Sequence, residues 1–493
     1  MKRAMLSRIL ATALLCVLSV GHAFCQDAGA LLDLLVRKKI ITDQEAEEVR
    51  AELTKDAATA PAGKWKLSTP ITELELYGDA RVRYEIRQGE TQTNDTQQKN
   101  RERYRLRLGL RGTLADDWFV GVRIETSQNP RSSNVTFGDD TSTSSPGGGG
   151  PFAKGSDGIS VGQAYFGYRG FPEIILTAGK MPNPLITTVM VWDPDLNPEG
   201  LAEQWKHTFT VALGGEGEEP ETAGYTKDGT PLPATKEKSG GSKLKIDVFA
   251  NFAQFVYDDS NPENPVGPSP KGVPNTDAFM LAWQVGARFT FPNSLYAQVA
   301  PTLYNYTGNG DTFNTHFRGG DPALLNSSST GQNQTGINSL LVFDLPIEVG
   351  WKLGELPMRL FADFAVNLEA DDRAAAAGHP GKGDQRYAYQ IGAAVGQLKQ
   401  RGDWQLSVFW QRQDQYSLDP NLVDTEFWDS KLNLEGVGVT FGYMLSDAVW
   451  LNLLYTYANQ ADSTLGTGGG GGDIAINPLK NFQLFQADLN VKF

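Results

Sequence analysis

Phe482–Phe493 reads FQLFQADLNVKF, and its alternation decides the fold. Phe485, Ala487, Leu489, Val491 and Phe493 fall on one side of an extended chain, with Gln486, Asp488, Asn490 and Lys492 on the other. Side chains of a strand point alternately to its two faces, so this segment places an apolar medium on one side and polar surroundings on the other. A half-buried strand of a soluble sheet alternates in the same way. The remainder of the chain decides between the two.

Upstream, the period of two returns in strands too long for a soluble sandwich. Leu74, Leu76, Gly78, Ala80, Val82, Tyr84 and Ile86 share one face of a strand from Ile71 to Ile86; Glu73, Glu75, Asp79, Arg81, Arg83 and Glu85 share the other. In the next strand Tyr104, Leu106, Leu108 and Leu110 alternate with Arg101, Arg103, Arg105, Arg107 and Arg111. Arginines on one strand face stand about 7 Å apart and repel unless water or acids screen them. The apolar face therefore looks to lipid and the arginine face to a wet lumen, as in transmembrane barrels. The pattern recurs over 244–252, 279–291, 341–351, 437–443 and 449–457, where Pro346 predicts a local bulge. About sixteen such runs give an all-β transmembrane antiparallel barrel, wide enough for an aqueous channel.

The connections alternate in length. Tight turns stand at 115–117, 171–173, 292–293, 354–355, 401–402 and 446–447. Between them lie long polar loops: Gly89–Asn100, Gln128–Asp157, Asp258–Thr276, Gly308–Thr335, Asp371–Gln385, Gln415–Ser430 and Ala461–Lys480. Short periplasmic turns and long outer loops produce this alternation. Gly217–Gly241 breaks the rule, being long yet falling on the short-turn side; it is an insertion there, or a strand nearby is misplaced.

The other end of the chain reads as an export signal. Lys2, Arg3 and Arg8 precede an apolar run from Ile9 to Val20 and the small residues Gly21 and Ala23, the three regions of a secretory leader. Cleavage is expected after Ala23, and bulky Phe24 argues against lipidation at Cys25. Residues 24–56 form a short helical module: Leu31, Leu34 and Leu35 stand at helical spacing, and Thr42-Asp43-Gln44-Glu45 reads as a capping box. The module is either a helical hairpin that folds on itself or frays, or a coiled-coil plug or oligomerisation arm; two helices this short bury too little to stand alone, which favours self-association. Residues 57–70 are a linker, and 71–493 the barrel.

Loss of the leader removes Cys16 and three cations, leaving one cysteine and lowering the net charge from −14 to −17. One thiol makes neither an internal disulfide nor a zinc cluster. So acidic a chain is a poor nucleic-acid partner. His207, His316 and His379 have no metal spacing, and no serine occupies a nucleophile elbow. The expectation is no enzyme, no catalytic residue, no metal and no cofactor.

Two segments carry a family resemblance. The closing strand resembles the last strand of bacterial outer-membrane barrels, whose terminal aromatic segment the barrel-assembly machinery reads; Phe485, Leu489, Val491 and Phe493 would carry that signal. Ala178-Gly179-Lys180-Met181-Pro182-Asn183-Pro184, running into Trp192-Asp193-Pro194-Asp195-Leu196-Asn197-Pro198-Glu199-Gly200-Leu201, resembles the glycine-lysine strand end and acidic loop of bacterial putative porins, relatives of the phosphate-selective porins. The resemblance implies a passive channel for small hydrophilic solutes in the outer membrane of a Gram-negative-type bacterium, embedded in lipid and assembled as a homotrimer. It implies too that the loop over 182–206 folds into the lumen, with Asp193, Asp195, Glu199, Glu203 and Lys206 facing a basic ladder of Arg81, Arg83, Arg101, Arg103, Arg105, Arg107 and Arg111. The ladder favours anions such as phosphate, whereas the lumen acids Glu73, Glu75, Asp79, Asp247, Asp344 and Glu348 oppose that preference and favour a transverse field. The alternative is a receptor or adhesin that uses its outer loops without open-pore transport.

Overall fold

The computed structural model describes residue 68 and residues 70–493, except 128, 130, 139–157, 214–241, 259–277, 308–338, 469–472, 475 and 477. The chain divides into Met1–Ser68 and Thr69–Phe493. The expected leader and helical module fall in the first unit, outside the described residues.

In the second unit sixteen antiparallel strands follow one another around a single closed sheet. They are β1 (Ile71–Glu90), β2 (Thr96–Leu114), β3 (Trp118–Thr126), β4 (Ile159–Phe171), β5 (Ile174–Lys180), β6 (Glu199–Ala212), β7 (Lys243–Asp258) and β8 (Ala278–Thr290). Then come β9 (Tyr296–Val299 with Thr302–Thr307), β10 (Leu341–Asp344 with Ile347–Leu353), β11 (Leu356–Asn367), β12 (Tyr387–Gly396), β13 (Trp404–Gln413), β14 (Leu434–Met444), β15 (Val449–Gln460) and β16 (Asn481–Lys492). A two-residue bridge, Val135–Thr136, covers β2 beyond the end of β3.

β9 and β10 are each interrupted at one level, where Pro301 and Pro346 have no N–H to give to the ladder. Pro346 announces its bulge in the sequence; Pro301 completes the bend from the next strand. β16 closes the barrel on β1, from Asp79 opposite Lys492 to Glu90 opposite Asn481. Gly78 and Phe493 exchange backbone hydrogen bonds of 2.9 and 3.1 Å. Closure pairs the first strand with the last over Asp79–Glu90 and so removes the open edge that a sheet facing lipid cannot have.

The two faces separate as the alternation predicts. On β1, Leu76 and Val82 are more than half exposed on the outside while Arg83 is 1% exposed within. Turns at one rim are short, and several of their residues take the left-handed conformation, among them Gly354 (φ 62°) and Gly402 (φ 89°), where a side chain would be strained. Ala212 pairs with Lys243 at that same rim, so no strand is misplaced there, and 217–241 itself lies outside the described residues.

Four expected loops differ. β1 and β2 run on to Glu90 and Thr96, leaving a five-residue turn, 91–95, in place of Gly89–Asn100. That extension is polar on both faces, so it carries no amphipathic signal. The 371–385 segment begins with a short helix, α1 (Ala370–Ala376). The 415–430 loop and the described residues of 461–480 turn inward instead of standing outside.

Candidate functional site

Among the described residues, three connections reach far into the lumen: 181–198 between β5 and β6, 414–433 between β13 and β14, and the described parts of 461–480 between β15 and β16. They reach inward-pointing side chains on widely separated strands. In the first, Ile186 N–H donates to Gln284 of β8 (2.9 Å), Thr188 to Asp363 of β11, and Gln413 of β13 donates to the Met190 carbonyl (2.7 Å). Asn197 accepts from Gln163 of β4 (2.8 Å). A loop that touches β4, β8, β11 and β13 lies across the barrel.

Apolar contact and charge hold these loops on opposite walls. Leu185, Met190, Val191 and Trp192 pack with Leu418, Val423 and Leu432 of the second loop against Ala253, Met280, Val342 and Ala365 on the inner faces of β7–β11. Burying each large side chain contributes roughly 1.5–3 kcal/mol, which helps offset an ordering cost of about 1–2 kcal/mol per loop residue. A second cluster joins Trp428 to Ile474, Ile476 and Leu479 of the third loop. These apolar residues, unusual in a water-exposed loop, are the sequence signal for inward folding.

On the other wall stands the arginine ladder, on the inner faces of β1 and β2, with each guanidinium in contact with a carboxylate, an amide or a backbone carbonyl. Arg83, 1% exposed, is gripped by both oxygens of Asp488 on β16 (2.7 and 2.8 Å) and contacts Glu426 of the second loop. Arg101 contacts Glu85 and lies 2.7 Å from Asp473 of the third loop. Arg103 donates to the Asn134 carbonyl (2.7 Å) and stands 3.7 Å from Glu85. Arg105 and Arg107 share Asp79 (2.7 and 2.6 Å) and approach Asp195 of the first loop (3.7 and 3.2 Å). Arg81 donates to Asn490 (2.8 Å). Half-exposed Arg111 lies 3.4 Å from Glu75 and over the Tyr77 ring at 3.9 Å. Arg87, omitted from the predicted ladder, pairs with Asp429 at 2.7 Å.

The five residues expected in the constriction loop separate. Asp195 faces the ladder. Asp193 is buried at the junction of two loops: its oxygens accept from the N–H groups of Asp195 (2.9 Å) and Thr425 (3.2 Å), and its own N–H donates to Leu422 (2.6 Å). Burial and the neighbouring Asp195 push its carboxyl up to about 8. Glu426 behaves oppositely; although burial works to raise it, Arg83 and Arg81 hold it at about 2. Glu199, Glu203 and Lys206 stand on strand β6 and not in the loop. Glu199 contacts Lys180, Glu203 accepts from Gln254 (3.0 Å) on the outward face beside Leu201 and Trp205, and Lys206 lies 3.4 Å from Asp247 lower in the lumen. Glu426, Asp429 and Asp473 complete the charged wall and were missed, since their strand partners lie more than 300 residues away. Phe485, Leu489 and Phe493 are exposed on the outer face of β16, with Val491 partly exposed on the same face. His207 contacts Glu173 at 2.5 Å near the short-turn rim, and His316 lies outside the described residues.

A family model described as "Putative porin" matches residues 87–341. No curated protein matches the chain. Among solved structures, OprB from Pseudomonas putida is 11% identical, with 85% of this chain and 94% of that chain covered and a TM-score of 0.42. An anion-selective porin from Comamonas acidovorans is 10% identical (85% and 99% covered, TM-score 0.39), and a porin triple mutant from Rhodopseudomonas blastica 8% (85% and 100%, TM-score 0.35).

Proposed function

The chain belongs to the Putative porin family, and from that premise we propose that its barrel is a water-filled channel of the outer membrane, passing small hydrophilic solutes by passive diffusion with weak charge selectivity. Sixteen strands enclose a lumen wide enough for water, and the inward loops narrow it. Residues 1–23 serve as the cleaved leader in this reading, and the β16 aromatic segment as the signal for assembly.

The observation that carries the weak selectivity is the neutralised ladder. The charges still partly open to water along the ladder include Arg81, Arg101 and Arg107 on one wall and Asp79, Asp195, Glu426 and Asp473 on or opposite it. Three cations against four anions make a transverse field and no anion rail. A channel lined this way orients dipolar solutes without concentrating phosphate.

Reversal potential across a tenfold KCl gradient tests this. The wild type is expected to sit near zero, and the D195N/E426Q double variant to shift toward anions. A strongly anion-selective wild type, or block by inorganic phosphate, would overturn the reading.

A further inference from the structure

Beneath the 181–198 loop, neighbouring strands present buried polar side chains at one level of the inner wall. Asn251 of β7 donates to Gln284 of β8 (2.9 Å), which donates to Thr302 of β9 (2.7 Å); Gln390 of β12 donates to Gln411 of β13 (2.7 Å). Between these two satisfied runs stand Asp344 on β10 and Asp363 on β11, 0% and 3% exposed. The proline bend lies just below them: Thr302 pairs with Asp344, and the register resumes past it at Val299 with Ile347. Asp344 pairs with Ala365, two residues from Asp363, so the two carboxyls neighbour one another on adjacent strands, and among the described residues no ion pair to a lysine or arginine holds either.

Thr188 donates to one oxygen of Asp363. Both oxygens of Asp344 and the other oxygen of Asp363 make no hydrogen bond of normal geometry. The Tyr304 hydroxyl is a fourth such atom; it is 2% exposed and stands beside Thr302, the residue that pairs with Asp344. Buried carboxylates are not left uncompensated, because desolvation far outweighs what the surrounding fold supplies. A proton shared between the acids would engage two of the four orphan oxygens. A cation would engage all four. The donors are all oxygen, with no nitrogen or sulfur, which selects a hard ion, and two carboxylates balance a double positive charge.

We propose that Asp344, Asp363 and Tyr304 hold a hard divalent cation of the calcium type between the barrel wall and the loop that crosses the lumen. Through the Thr188–Asp363 hydrogen bond the ion fixes that loop to β10 and β11. The site is independent of what the channel passes.

The test is calorimetric titration of calcium chloride into chelator-treated, folded full-length protein. One saturable site per chain is expected, absent in D344N and unchanged in D371N, which alters an exposed carboxylate. Y304F, which keeps both acids, is expected to bind about tenfold or more weakly, and calcium should raise the wild-type melting temperature but not that of D344N. Weak multi-site binding alone, a wild type that binds no calcium, or a site surviving D344N overturns the proposal; should D344N fail to fold, Y304F binding as tightly as wild type overturns it.

Discussion

At the scale of single residues, the ladder turns from a row of free cations into a set of clamps. Its inward direction was legible, because arginines at every second position of a strand share one face. Its partners were not: Asp488, Glu426 and Asp473 lie in distant segments, and periodicity says nothing about which carboxylate arrives opposite which guanidinium. Arg83 carries the largest structural consequence, since it ties β1 to β16 and to the 414–433 loop while buried. Its loss removes the cation that touches both Asp488 and Glu426, leaving Arg81 3.5 Å from Asp488 as the nearest replacement. Breaking a buried pair costs about 3–5 kcal/mol, so Arg83→Ala is expected to lose that much in urea unfolding monitored by tryptophan fluorescence. Arg111→Ala, half exposed, should stay within about 1 kcal/mol of wild type. Equal losses in the two variants would remove the clamp from the account. Glu203 teaches the reverse lesson. The family resemblance implies a place for it in the constriction loop, yet β6 begins at Glu199, and alternation from there turns it outward beside Leu201.

At the scale of elements, strands and tight turns were readable, and inward loops only in part. A strand between lipid and lumen must alternate, and a short turn needs residues tolerant of left-handed backbone; both leave local marks. The fate of a loop depends on what it meets. Leu418, Val423 and Trp428 show that the 414–433 loop has apolar sides, but only the inner surface of β7–β11, for the first two, and that of β14–β16, for Trp428, explain where they go. The junction of this loop with 181–198 runs through Asp193, and its pH response follows. The folded carboxyl sits at about 8, above the ordinary 3.8. The folded state therefore holds more protons between those values, so the junction is fully formed below the ordinary value and weakens as pH rises through about 8. Wild-type channels are expected to give larger, noisier currents above that pH, whereas Asp193→Asn, which mimics the neutral acid, should hold steady from pH 6 to 9. A variant that titrates like wild type would place the sensor elsewhere.

At the scale of the whole molecule, the barrel follows from one rule applied sixteen times, with closure of β16 on β1 as its final instance. The same rule puts an apolar outer surface beside a charged interior, and the interior is then crossed by loops that no lipid touches. What period-two reading misses is how completely those loops occupy the outer lumen, packed on one wall by apolar side chains and pinned to the other by ion pairs. The central claim is that a water path survives between the 181–198 and 414–433 loops and the arginine wall. Single-channel recording of purified protein in a planar bilayer addresses it directly. Discrete, reproducible current steps are expected, and they should grow when residues 418–426 are replaced by a short glycine-serine link. Silence from both the native and the shortened chain, in barrels shown to be folded and inserted, would contradict it.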